Sequence, residues 1–359
     1  MARGRNLGPT ITGANPPPTC LLCEMQIPSM HDSGIADSLE DAQLLLKSQW
    51  RGYWKSSLKH VTVPSIKVEE ACFGDFPRLW SCFCRAMIKE SDTKYRLTGI
   101  NVVPRHLNVH YNFPKDPTIA RIGGRENARY DDQDFTRFLA AKIGRQPRQY
   151  KGELLGYIIH AHCWVLFGRV LGALPTKTKL AKFIQSSRKH WRKEKLHGLE
   201  DYNIRWVKPN QALSELEYGC DIYQNPLVIP ALQEVITRAN PSHTIYPLFN
   251  KLPIELAVLI CEWICPADYT SNDVENLRNL LFAFQWEMPD GFWRRWLKED
   301  LFFELDTLRK SNSPVNWQVL GLDLMALVSD RTWYTTNGLA NRERILRNII
   351  AIKRGLGMS

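Results

Sequence analysis

The chain has 359 residues, 44% hydrophobic and 23% charged, with a formal net charge of +10. This length and balance exclude a disordered, collagenous or small disulfide-stapled protein, and allow two or three domains of ~150 residues each. The basic excess permits an acidic partner without naming one.

Residues 1–19 have a basic start with no apolar stretch behind it, so they read as a flexible tail and not as a targeting signal. The apolar runs near 157–174 and 252–267 are broken by His, Arg or Glu. Neither reaches the ~20 apolar residues of a membrane span, and no membrane partner is expected. Nine cysteines, an odd number, point to reduced thiols in the cytosol or nucleus.

Residues 20–245 read as a mixed α/β region. "RLTGINVVPRHLNVHYNF" (96–113) alternates as a strand does, whereas "DFTRFLAAKIG" (134–144) predicts a helix with Asp134 as its N-cap and Gly144 as its stop. The apolar stretch "ELLGYIIHAHCWVLFGRVLG" (153–172) turns helical near His160. "KTKLAKFIQSSRKHWRKEK" (177–195) holds eight Lys/Arg and one Glu. In it Leu180, Phe183, Ile184, Ser187 and Trp191 mark one helical face, which leaves the charges on a solvated outer surface. No stacking or groove-reading element accompanies them, so nucleic acid is not expected as a partner.

Two half-motifs suit a metal. Cys20-x-x-Cys23 can chelate from one tight turn, and His160-x-x-Cys163 places two ligands on one helical face. Together they form a Cys₃His set for a tetrahedral, structural zinc, provided the fold unites segments far apart in the chain. His162 is a competing ligand, and Glu24 stands where Gly often follows the second Cys of such a turn. Four protein ligands leave no open position for chemistry. The chain has no phosphate loop, no H-E-x-x-H and no G-x-S-x-G, so catalysis is not expected.

From about 246 onward the pattern is helical. In "LPIELAVLICEWI" (252–264), Leu256, Leu259, Ile260, Trp263 and Ile264 form one stripe, Pro253 suits the first helical turn, and Cys265-Pro266 ends the helix. A second helix puts Val274, Leu277, Leu281 and Phe284 on one face, and a third follows a Pro-Asp-Gly turn.

Three short helices opened by Leu-Pro resemble the F-box, the matching residues being Leu252, Pro253, Glu255, Leu256, Leu259 and Ile260, then Leu277, Leu280 and Trp286. The flanks are similar to a family of fungal F-box proteins. They comprise "NPLVIPALQEVI" (225–236), Trp293-Arg294-Arg295, Asp300-Leu301-Phe302-Phe303-Glu304, "VNWQVLGLDL" and "NRERILRNII". The resemblance runs from about 220 to the C-terminus and more thinly back to Cys20, where the Cys-x-x-Cys and His-x-x-Cys-Trp elements also match. It implies a non-catalytic protein that docks to a Skp-type adaptor of a cullin-based ubiquitin ligase and presents an unknown protein substrate. Leu252, Pro253, Glu255, Leu256, Leu259 and Ile260 would form the docking surface, with one edge of their helix packed inward.

The expected fold class is α+β, mostly α. A tail (1–19) and a mixed α/β region with the zinc site (20–245) would precede an F-box-like helical domain (246–296) and a helical C-terminal extension (297–359). The alternatives are a nucleic-acid-binding protein using the basic 177–195 helix and a stand-alone structural or regulatory protein.

Overall fold

The computed structural model describes residues 18–27, 61–73, 77–102, 110–122, 133–141, 143, 152–172, 177–193, 218–239, 252–298, 300–310 and 315–357. Most of the tail lies outside them. Strand β1 (Val61–Pro64) leads into the short helix α1 (Ser65–Glu69), then a 3₁₀ turn (Pro77–Cys82) and β2 (Phe83–Lys89). The strands β3 (Tyr95–Leu97), β4 (Asn101–Val102), β5 (His110–Pro114), β6 (Ile119–Ile122), β7 (Phe135–Ala140) and β8 (Leu155–His160) follow. The remaining elements are helical: α2 (Ala161–Leu171), α3 (Lys177–Lys193), α4 (Pro230–Arg238), α5 (Ile254–Ile264), α6 (Ser271–Phe284), α7 (Asp290–Trp296), α8 (Leu305–Lys310), α9 (Trp317–Ser329), α10 (Arg331–Thr336) and α11 (Leu339–Gly355).

The sheet is six-stranded and mixed, in the order β3-β2-β8-β7-β5, with β4 also pairing to β2; β1 and β6 form a separate antiparallel pair. β8 runs antiparallel to β2 and parallel to β7. All six of its residues, Leu-Gly-Tyr-Ile-Ile-His, are buried, as befits a strand covered on both faces. Gly156 lets β8 enter this layer: a Cβ there would sit 2.6 Å from the Phe138 ring and 2.8 Å from Ile88.

Within the segment 134–144, Phe135–Ala140 form strand β7 and not the helix the pattern predicts. Its burial alternates imperfectly, with Phe135, Thr136, Phe138 and Leu139 buried and Arg137 exposed. β5 pairs with it from His110↔Leu139 to Pro114↔Phe135, so tertiary pairing overrides a weak local signal. The expected stop, Gly144, lies outside the described residues. The β-like reading of 96–113 falls on β3, β4 and β5, with 103–109 also outside them.

The expected fold class needs correction. The described residues are about 52% helix and 17% strand, and no separate helical F-box followed by a helical extension is evident. The last helix, α11, packs back onto α2 and α3. α11 buries Ile345, Ile349 and Ile352 completely. Ser186 of α3 donates from Oγ to the Ile352 carbonyl (2.9 Å), and Lys353 reaches the Val170 carbonyl at the end of α2 (3.4 Å). Early and late apolar side chains thus share one continuous core. The physical reason is that the apolar stripe of α11 requires a partner, and α2 and α3 supply it.

The other helices follow ordinary rules. Thr270 and Asp273 form a reciprocal capping box at the start of α6. Hydrogen bonds from the Thr270 backbone and side chain hold the Asp273 carboxyl below its usual pKa. α9 crosses close to α7 because Gly321 has no side chain; a Cβ there would lie 2.4 Å from the Trp293 ring. No described helix is long and apolar enough to cross a membrane.

Candidate metal centre

The turn at Cys20–Cys23 is sunk into the core, where Cys20, Leu21, Leu22 and Cys23 are all 0% exposed. Thr19 bridges Gln26 across the turn, Cys20 N–H donates to the Met25 carbonyl (2.9 Å), and Glu24 N–H donates to the Cys20 carbonyl (3.0 Å). Glu24 holds the left-handed backbone (φ 67°) that the turn demands. A glycine relieves that constraint in other chains, but this one manages without it.

The second half-site comes from the junction of β8 and α2. His160 is the last residue of β8 and the N-cap of α2, and Cys163 sits in the first turn of the helix. His160 is therefore not itself helical, as its spacing to Cys163 suggests, yet the junction still directs both side chains to one point. The Cys23 sulfur is 3.3 Å from His160 Nδ1, and the Cys163 sulfur is 3.7 Å from the same nitrogen. The ligand atoms of Cys20, Cys23, His160 and Cys163 all lie within 4.8 Å of one another, and all four residues are buried. This cluster could hold a metal ion.

The geometry fits such an ion. Metal–sulfur and metal–nitrogen bonds of about 2.3 and 2.0–2.1 Å at a tetrahedral angle put S and N about 3.6 Å apart. The two observed S···N distances bracket that value.

The electrostatics prepare the site. Burial raises the Cys20 thiol, but hydrogen bonds from Cys163, Cys23 and the backbone N–H groups of His160 and Leu22 outweigh it. They hold Cys20 well below the ordinary thiol value. Burial, with the neighbouring Cys20 and Cys23, pushes Cys163 well above it. A cation entering the cluster would be bound by deprotonated sulfurs, so binding releases thiol protons. His162 takes no part. Its ring packs near Phe73 (5.7 Å) and Trp80 (6.0 Å), and burial followed by the neighbouring His160 lowers its pKa to about 3.

Two side chains that the motifs do not single out as supports hold the Cys turn from behind. Trp191 of α3 donates from Nε1 to the Leu21 carbonyl (2.7 Å), and Arg344 of α11 donates from Nη1 to the Cys23 carbonyl (2.8 Å). Trp191 is visible in the sequence as the end of an apolar stripe. Arg344 carries no signal, because its partner lies 321 positions away. Outer partners of metal ligands commonly control affinity about 10–100-fold. Arg344→Ala is therefore expected to weaken metal binding by about that factor, measured by competition with a chromophoric chelator.

The predicted docking residues lie elsewhere, on α5. Pro253 is the N-cap, just outside the helix. Leu252, Pro253, Glu255, Leu256, Leu259 and Ile260 are all exposed. The apolar stripe faces largely outward: Leu259 is 58% and Trp263 86% exposed, and Phe282 on α6 is 84% exposed. The inward edge of α5 is made of the small residues Ala257 and Cys261. α6 buries Val274, Leu277 and Leu281 as its pattern predicts, while Phe284 is exposed.

Compared with known proteins, the chain matches no protein-family model, no curated protein and no solved structure.

Proposed function

We propose that this chain is a non-catalytic docking protein of the F-box kind, acting in the cytosol or nucleus, with a zinc ion as its structural staple. In this reading Leu252, Pro253, Leu256, Leu259 and Ile260 bind a Skp-type adaptor of a cullin-based ubiquitin ligase, and other surfaces present a protein substrate. Docking of this type requires an accessible helix face and not a detached helical domain.

The observation that carries the reading is the outward display of large apolar side chains along α5 and the end of α6. Contiguous exposed apolar surface of this kind marks interaction sites. The Leu-Pro opening and the similarity of the flanks to fungal F-box proteins supply the partner. Zinc is the ion of choice because three sulfurs and an imidazole are a donor set that it favours, and a closed four-ligand shell serves structure and not catalysis.

The test is capture of a purified Skp-type adaptor by the purified chain. Leu259→Ala combined with Trp263→Ala is expected to weaken capture by about 30-fold or more, since central aromatic anchors are often worth ~2 kcal/mol or more. The melting temperature should hold, because both side chains face solvent. Unchanged capture by the folded variant would overturn the adaptor assignment.

A further inference from the structure

The outer face of α3 carries charge of one sign. Its 17 residues include seven Lys/Arg and no Asp or Glu. The inner face is fully committed: Phe183 packs on Phe167 at 4.3 Å, Leu180 and Ile184 are buried, and Trp191 anchors the metal turn. Lys182, Gln185, Lys189 and Arg192 are exposed in a line along the opposite side. Gln185, Arg188, Lys189 and Arg192 border a shallow groove of ≈ 340 Å³. Arg188 is engaged by the Tyr157 ring at 5.8 Å. Among the described residues, no carboxylate forms an ion pair with Lys182, Lys189 or Arg192.

Cations three and four positions apart on a helix are neighbours, and like charges so placed repel. α3 places Arg188 against Arg192, and Lys189 against Arg192, with no acid in its sequence to offset them. An anionic partner would relieve this repulsion. We infer that this face is a docking surface for an acidic segment of a partner protein, independently of the adaptor-binding face on α5.

The dimensions suit such a segment. From Lys182 to Arg192 the stripe spans about 15 Å at 1.5 Å per residue, with Lys182 about 10.5 Å from Lys189 and Lys189 about 5–6 Å from Arg192. An extended acidic chain repeats carboxylates on one side every two residues, about 6.6 Å, so three of them span about 13 Å and cover most of the stripe. Single-stranded nucleic acid is the poorer match. It gains affinity by stacking bases on exposed aromatic rings, and the aromatic side chains Phe183 and Trp191 of α3 are turned inward.

The experiment uses the full chain and a fluorescein-labelled octaglutamate peptide, read by anisotropy. Saturable binding that weakens with added salt is expected. The K182E/K189E/R192E variant is expected to lose affinity about tenfold or more, with zinc content and melting unchanged. K182Q/K189Q/R192Q should shift in the same direction by less, and serves as the readout if charge reversal impairs folding. Three results would overturn the inference: no peptide binding, a folded glutamine variant that binds as tightly as the unmodified chain, or a short DNA duplex held more tightly than the peptide through the same three cations.

Discussion

Cys163→Ser is expected to abolish stoichiometric zinc binding and to remove the cooperative melting transition of the native chain. Structural zinc contributes about 10–16 kcal/mol of apparent binding energy in small zinc-stabilised folds, comparable with the ~5–15 kcal/mol net stability of a domain. Here the cluster joins the 20–23 turn to β8 and α2, and Trp191 and Arg344 tie the same turn to α3 and α11. In the variant, loss of the ion would leave two buried thiols, a hydroxyl and an imidazole packed together without the charge that orders them. Elemental analysis should give about one zinc per native chain and none for the variant, and calorimetry should show the lost transition. A metal-free chain that melts at the native temperature would refute a structural role. The site should also release metal as pH falls: its ligands bind zinc deprotonated, so acid competes for the same sulfurs.

Arg342→Ala is expected to cost about 3–5 kcal/mol, the range for removing one partner of a buried ion pair. The Arg342 side chain is 0% exposed, with all of its donors directed at partners. Nε donates to the Pro226 carbonyl (2.6 Å), Nη1 to the Leu301 carbonyl (2.8 Å) and Glu304 Oε2 (3.0 Å), and Nη2 to the Leu227 carbonyl (3.0 Å) and Glu304 Oε1 (2.7 Å). Its guanidinium also lies 4.1 Å from the centre of the Phe303 ring. Burial lowers its pKa, and the Glu304 carboxylate offsets part of that effect. Alanine would strand a part-buried carboxylate and three carbonyls at once. Lysine would not rescue them, since an ammonium group has three donors and no planar fork. Denaturant unfolding should give the loss as a lower midpoint at constant slope. A shift under about 1 kcal/mol would mean that the 226–227 segment, the 301–304 turn and α11 are not joined through this residue. Because Arg342 and Glu304 share the pair, the Arg342→Ala/Glu304→Ala double variant should lose less than the sum of the single variants.

Local signals determined the helices and the chemistry. The stripe Leu180, Phe183, Ile184, Ser187 and Trp191 is the buried face of α3, the change to helix falls at Ala161, and Cys265 caps α5 where Cys-Pro predicts. Both halves of the metal cluster were legible as short motifs, because chelation needs particular side chains at particular spacings. The segment 134–144 was misread because its apolar spacing fits a helix as well as a strand, and only pairing with β5 selects the strand.

Tertiary structure decided what periodicity leaves open. A stripe says that a helix has an apolar face, but it does not say which neighbour covers that face or whether any does. For α11 the neighbours are α2 and α3, which removes the separate helical extension. For α5, apolar on nearly all sides, the small residues Ala257 and Cys261 pack inward while Leu259 and Trp263 remain in solvent. The sequence by itself determined which residues can chelate, cap and form helices, because those properties belong to side chains and their near neighbours. Only the fold could bring Cys20 and Cys23 to His160 and Cys163, or Arg344 to the Cys23 carbonyl, because contact between distant segments depends on how the whole chain buries its apolar surface.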